Sequence, residues 1–435
     1  MLWLVVACFF LSGFAALIYQ TVWLRQFSIV FGTSELAVAT VLAAYMGGLA
    51  AGAAVIARCQ HRIRQPVLAY GLLEAGIAAS ALAVPALIAV ASMAHTAVLG
   101  GQAEPAPAGG IAQSSFYVVV AFLVLLIPTG LMGATLPLLT RHVVGSNIQL
   151  GPRLALLYAT NTAGAVAGTL VAAFILIPAV GLRATVWCAV LVNGLIFVVM
   201  RLCARRAATA TATATANGDI RAQRTARCDG LRSLLHQLTN QPAWVLPLML
   251  VSGAVAFAYE VLWTRLLTHV VGGSIYSFAL MLAAFLAGIT IGSAAAGRLA
   301  IRRERAAYWF ACVQVGIAVL AALVYEWMGS LIPNERSLTE FALYSVAVML
   351  PATVAIGATF PLAVRLLAAT ENHAADATAR VYAWNTAGAI AGALATGFFL
   401  LPGLGFEGLI ALAVIANLAI ALLALLFAAP VRRNA

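Results

Sequence analysis

Twelve apolar stretches, each of about 20 residues or more, leave this chain few ways to fold. They fall near 3–27, 36–57, 67–93, 115–140, 154–178 and 182–201, then near 243–267, 275–299, 306–330, 338–366, 379–402 and 405–429. A helix rising about 1.5 Å per residue needs about 20 residues to cross hydrocarbon. The runs are too long and too continuous for the alternating strands of a membrane barrel. Composition agrees: 64% of the 435 residues are hydrophobic, only 9% are charged, and the mean hydropathy is +1.03. A soluble chain of this size would carry roughly 25% charged residues to dress its surface. The expected fold class is therefore an all-α polytopic membrane protein, with the lipid bilayer as its first partner.

The net charge of +11 comes from arginines in short clusters between the apolar runs, and the chain has no lysine. Arg58, Arg62 and Arg64 follow the second span, Arg141 and Arg153 bracket the loop after the fourth, and Arg201, Arg205 and Arg206 follow the sixth. Arg298, Arg302, Arg303 and Arg305 follow the eighth, and Arg432 and Arg433 lie near the last residue. With twelve spans all these sites share one side, while the longest loop opposite, 94–114, carries only the charge of Glu104. The positive-inside rule then places both ends in the cytoplasm and the protein in a bacterial inner membrane. Nucleic acid is not an expected partner, because no basic patch is interleaved with exposed aromatics. Residues 2–19 read as the start of the first helix rather than a cleaved signal, since no positive segment precedes them.

An internal repeat organises the spans. Aligning residue 12 with residue 252 gives 17 identities in 47 gap-free positions, with Tyr19, Trp23, Arg25 and Arg58 recurring as Tyr259, Trp263, Arg265 and Arg298. Gly133-Ala134-Thr135-Leu136-Pro137 returns as Gly357-Ala358-Thr359-Phe360-Pro361. The block from Tyr158 through Asn161 to Gly168 returns from Tyr382 through Asn385 to Gly392. Shared Ala and Gly content would not hold Tyr, Trp, Arg, Asn and Pro in register. The expected division is a six-helix half at 1–202, a partly disordered cytoplasmic linker at 203–241 with an Ala-Thr run, and a second half at 242–435. Six spans per half make the copies parallel, as in major-facilitator transporters, whose sites lie between the halves near the midplane. Four Gly-x-x-x-Gly pairs, at 48/52, 164/168, 288/292 and 388/392, are read first as close helix contacts, and Pro137 and Pro361 as kinks or ends.

Charge at membrane depth is costly and marks candidate function. Glu260 and Glu74 lie inside spans, and their repeat partners are amides, Gln20 and Gln314. Two readings are open. The carboxylates handle a cation or proton along a pathway that includes Gln20, Gln314, Asn161, Asn385, Arg25 and Arg265. Alternatively Arg25 pairs with Glu260 across the halves, the amides complete a structural network, and the arginines reach the outer headgroups. Tyr19, Trp23, Tyr259 and Trp263 read as an interfacial aromatic belt. No nucleophile elbow, zinc-protease motif or phosphate loop occurs. The six cysteines and six histidines show no ligand spacing. No metal or cofactor is expected.

The Ser252-Gly253 to Tyr259-Glu260-Val261-Leu262-Trp263-Thr264-Arg265 phrase, with the Gly-Ala-Thr-x-Pro and Tyr-Ala-x-Asn-Thr-Ala-Gly-Ala blocks, resembles the membrane part of the fused major-facilitator/spermidine synthase-like bacterial proteins. The resemblance spans nearly all of both halves. Members of that family often carry a soluble aminopropyltransferase-like domain of Rossmann type, which finds no room here, so aminopropyl transfer is not expected of this chain, and a membrane enzyme of unrecognised chemistry stands only as a lesser alternative. The first half has Gln20 where the signature has glutamate. The loop Gly297-Arg298-Leu299-Ala300-Ile301-Arg302-Arg303 resembles the facilitator loop with Ile301 in place of its aspartate. The resemblance implies a facilitator-like transporter of a small polar or cationic solute, polyamine-related by the family name. The alternative is a non-transporting membrane anchor or partner of a separately encoded soluble synthase-like protein.

Overall fold

The computed structural model describes residues 2–31, 35–59, 62–99, 111–143, 147–216, 242–271, 275–331, 337–368 and 373–428. Glu104, Arg432, Arg433, His61 and residues 217–241 of the expected linker lie outside them. The first half comprises α1 (Leu2–Phe31), α2 (Glu35–Cys59), α3 (Pro66–Leu99), α4 (Ile111–Val143), α5 (Asn147–Val171) and α6 (Ile177–Ala216). The second comprises α7 (Val245–Val271), α8 (Ile275–Leu299), α9 (Arg303–Trp327), α10 (Leu338–Leu367), α11 (Ala374–Ala395) and α12 (Leu401–Ala428). The sixth helix runs on to Ala216, into the segment expected as linker. Pro137 and Pro361 sit inside α4 and α10 rather than ending them.

Two apolar helical stretches run on for 55 residues each, 152–206 and 374–428. As straight rods these would be about 80 Å long, against a hydrocarbon layer of ~30 Å. Each holds one residue off the helical path, Gly181 (φ 75°, ψ 174°) and Gly405 (φ 67°, ψ −173°). That conformation is open essentially to glycine alone. The chain reverses there: α6 returns along α1 and α3, and α12 along α7 and α9. The described residues therefore make twelve crossings. A π turn precedes each reversal at the same repeat position, Ala172–Leu176 and Thr396–Leu400.

The two halves pack alike. α1 lies on α5 and α2 on α4, as α7 lies on α11 and α8 on α10. The glycine pairs make these approaches possible. A Cβ on Gly164 or Gly168 would stand 1.9 or 2.1 Å from the carbonyl oxygens of Phe10 and Phe14. On Gly388 or Gly392 it would stand 1.8 or 2.2 Å from those of Leu250 and Ala254. The close-contact reading of these motifs holds, and van der Waals packing of backbones is what associates helices where lipid is as apolar as leucine.

Two seams join the halves, α2 with α11 and α5 with α8. On the side where the described chain begins and ends, one apolar cluster draws on both halves, with Phe9, Leu136 and Leu157 alongside Met249, Phe360 and Leu367. On the far side each half has its own, around Ile18, Trp23 and Leu125 in the first and around Leu262, Trp263 and Phe285 in the second. The bundle is thus clamped at the terminal end and divided at the other. Its outer face is apolar, with Leu123, Leu191, Phe399 and Ile415 each more than 60% exposed. That surface suits lipid, where every backbone group must be satisfied within the helices.

One expectation is overturned. Tyr19, Trp23, Tyr259 and Trp263 are fully buried and form no belt. Tyr19 stacks on Trp23 at 5.2 Å and Tyr259 on Trp263 at 5.2 Å. A belt tryptophan offers its indole N–H to headgroups, whereas here both indole nitrogens are enclosed without an acceptor. Periodicity placed the rings on one face, and that face turned inward.

Candidate functional site

A cavity of about 210 Å³ lies between the halves. Its floor includes Phe9 and Leu136 of the shared cluster, and its walls come from α1, α2, α4 and α5 of one half and α7, α8 and α11 of the other. Polar groups enter it from both sides: Gln20, Tyr45, Tyr158 and Asn161 from the first half, Glu260, Tyr382 and Asn385 from the second. The deep amides of α5 and α11 reach it because Gly13 and Gly253 let α1 and α7 press against the backbones of Asn161 and Asn385. Tyr158 stacks on Phe360 at 4.8 Å, and Phe360 meets Tyr382 edge-on at 6.0 Å. These rings tie the lower cavity wall across the halves.

Glu260 is the carboxyl of this cavity. It is 8% exposed and has no hydrogen-bond or ionic partner among the described residues. The pairing of Arg25 with Glu260 is not made: Arg25 is exposed and lines no part of the cavity. Arg265 is half-buried and also lies off the cavity wall.

Glu74 and Gln314 sit elsewhere, each fully buried within its own half. Ser12 of α1 donates to Glu74 Oε1 at 2.6 Å, and Asn193 of α6 donates to Oε2 at 2.5 Å. Tyr19 in turn donates to Asn193 Oδ1 at 2.9 Å. The Tyr70 hydroxyl donates to the Cys8 carbonyl at 3.3 Å. In the second half Gln314 Nε2 donates to Ser252 Oγ at 3.0 Å, and Asn417 donates to the Tyr259 hydroxyl at 3.1 Å and to the Ala413 carbonyl at 3.0 Å. Of the eight site residues expected from sequence, the cavity gathers Glu260, Gln20, Asn161 and Asn385. Glu74 and Gln314 anchor intra-half networks, and the two arginines lie outside both.

Among solved structures the chain resembles a bacterial homologue of the iron transporter ferroportin in an outward-facing state, at 14% identity with a TM-score of 0.59, covering 98% of each chain. It also resembles the human organic anion transporter MFSD10 (TETRAN), at 15% identity with a TM-score of 0.54, covering 97% of this chain and 99% of that one. No protein-family model and no curated protein matches. The chain shares the fold of these two structures. Identities this low carry the fold alone, so any solute must be argued from the cavity.

Sequence reasoning passed over Asn193 and Asn417. Each is a lone amide in an otherwise apolar span, and the two stand in the same repeat register as Gly181 and Gly405. That register was the available signal. Tyr45, an aromatic in a helix full of small residues, had no such flag.

Proposed function

We propose that this protein moves a small polar or cationic solute across the membrane through the cavity between its halves, with Glu260 as the charged contact. The observation carrying this reading is an unpartnered carboxyl, at membrane depth, facing a cavity ringed by amides and tyrosines. A carboxylate held there without a cation is expensive unless a solute or proton supplies the missing partner. The polar ring then serves as the hydrogen-bonding shell that replaces water around a small solute.

Volume favours a small solute. At about 210 Å³ the cavity lies below the roughly 300–1,000 Å³ of pockets that take drug-sized ligands. The gathering of side chains favours an organic cation over a metal ion: among the described residues no three His, Cys, Asp or Glu come together. Resemblance to the membrane part of the fused synthase-like proteins points the same way, toward an amine of polyamine type. The arginine-rich side is read as cytoplasmic, so that the terminal end is the closed cytoplasmic side and the divided end faces outward. The halves, 1–202 and 242–435, then rock against each other along the α2–α11 and α5–α8 seams, splitting the shared cluster in the other state. Gln20, Asn161 and Asn385 contact solute, whereas Arg25 and Arg265 lie at the outer approach to the pathway.

The test is flux of labelled spermidine and smaller diamines in vesicles reconstituted with the full chain, with Glu260→Gln as the control. Flux that is present in the wild type and collapses in Glu260→Gln supports the reading. Equal flux in both removes Glu260 from the pathway. No flux of any amine, together with stable co-purification of a soluble synthase-like protein, favours the membrane-anchor alternative.

A further inference from the structure

The carboxyl of Glu74 takes no part in the cavity, yet it is one side chain away from it. Ser12, which donates to Glu74 Oε1 at 2.6 Å, itself lines the cavity wall. We propose that Glu74 is a proton-binding site of the first half, loaded and unloaded from the cavity through the Ser12 hydroxyl. This rests on the cavity being the wet path proposed above.

The chemistry of the surroundings selects a proton over a metal ion. A sodium- or calcium-like ion needs a shell of oxygen acceptors at about 2.3–2.6 Å. Glu74 is instead met by two donors, the Ser12 hydroxyl and the Asn193 amide N–H. The Asn193 oxygen is already taken by Tyr19. Groups facing the carboxyl from neighbouring helices are Cys8, Ser12 and Tyr19 on α1, Tyr70 on α3 itself and Asn193 on α6. None is a cation. The stretch of α4 inside the membrane, 118–140, contains no Asp, Glu, Arg, Lys or His, and the α6 arginines at 183 and 201 stand more than two turns from Asn193.

The second half shows that the same scaffold accepts the neutral form. An amide is the isostere of a protonated carboxyl, in that both present one acceptor and a donor. At the equivalent place Gln314 donates to Ser252, so this serine serves as acceptor, whereas Ser12 serves as donor to Glu74. A hydroxyl can play either role by rotating its hydrogen. The two halves thus display the two hydrogen-bond polarities that one site would alternate between. Loading runs as a relay: a hydronium in the cavity gives its proton to Ser12 Oγ as the Ser12 proton passes to Glu74 Oε1. One O–H bond breaks and one forms on the serine, the carboxylate becomes a neutral acid, and nothing is oxidised. Unloading is the reverse.

Infrared spectra of the full chain in lipid vesicles, recorded in a Glu260→Gln background so that the cavity carboxyl is silent, test this directly. The expected result is a protonated-carboxyl band that rises and falls reversibly with pH, is lost on Glu74→Gln, and shifts in deuterium buffer at a rate slowed roughly tenfold or more by Ser12→Ala. Glu74→Gln should fold, because it installs the amide already present at position 314. If it elutes aggregated, Glu74→Asp replaces it, and the band must move rather than vanish. A Glu74 band that is unchanged at every pH, or that exchanges equally fast without the Ser12 hydroxyl, overturns the proposal. Neither result touches the flux experiment on Glu260, so the two readings fail separately.

Discussion

The two buried networks differ at the acid, Glu74 against Gln314, and beside it, where Tyr70 has Phe310 as its counterpart, and they are bonded differently. In the first half a continuous chain of bonds runs from Tyr19 to Asn193 to Glu74 to Ser12, leaving α1, crossing α6 and α3, and returning to α1. In the second half the same serine, tyrosine and asparagine are present, but the chain is cut into two pairs, Gln314 with Ser252 and Asn417 with Tyr259. The Gln314 oxygen is left buried without a donor. A carboxyl accepts at both oxygens and so can join two donors, whereas an amide accepts at one end and donates at the other. In the second half the Gln314 oxygen takes no bond from Asn417, so α12 is not joined to α9 through this pair. The cavity shows the opposite bias, with the acid on the second half at Glu260 and the amide on the first at Gln20. The repeated scaffold is symmetric, yet each half holds its carboxyl at a different place in the bundle.

The sharpest way to break this comparison is at Glu260. Glu260→Gln makes the two cavity positions identical, and amine flux should fall about 10- to 100-fold, the worth of one hydrogen bond to a charged group. Adding Gln20→Glu to that variant returns the charge to the cavity from the other half. Vesicle flux should then recover in part. No recovery would mean that the halves are not interchangeable at this level.

Packing should show no such bias. Gly164→Val in the first half and Gly388→Val in the second both drive a side chain into a facing backbone carbonyl. Each should destabilise by about 1–3 kcal/mol, read as comparable drops in the thermal unfolding midpoint in detergent. A large difference between them would show that one half carries the assembly.

Glu74→Gln should leave that midpoint within about 1 kcal/mol of wild type, since the second half already packs an amide there. The pH dependence of flux should flatten in the same variant. A flux profile that keeps its shape would detach Glu74 from transport even if the carboxyl titrates.

The smallest effect is also the most discriminating. Tyr19→Phe strands the Asn193 oxygen and should cost about 1 kcal/mol. Tyr259→Phe leaves the Asn417 amide still bonded to the Ala413 carbonyl, and should cost closer to the ~0.6 kcal/mol average for an interhelical bond in lipid. Denaturant titration of the two single variants side by side reads the difference. Equal costs would contradict the closed-versus-cut description of the networks.

Sequence alone settled the class and most of the register. Hydropathy located the crossings, including the turns at Gly181 and Gly405 that a count of helical runs conceals, because a length of apolar chain is fixed by the thickness it must cross. The repeat paired Glu74 with Gln314 and Glu260 with Gln20 before any coordinates. What sequence could not decide was which way a polar side chain faces. Glu74 and Glu260 both read as intramembrane carboxylates, and only packing sent one into the cavity and closed the other behind Ser12. Tyr19 and Trp23 share a helical face whether that face meets headgroups or core, and only the approach of α6 and α3 buried it. Spacing along a helix is local, but the identity of the neighbour is set by how helices far apart in the chain come together.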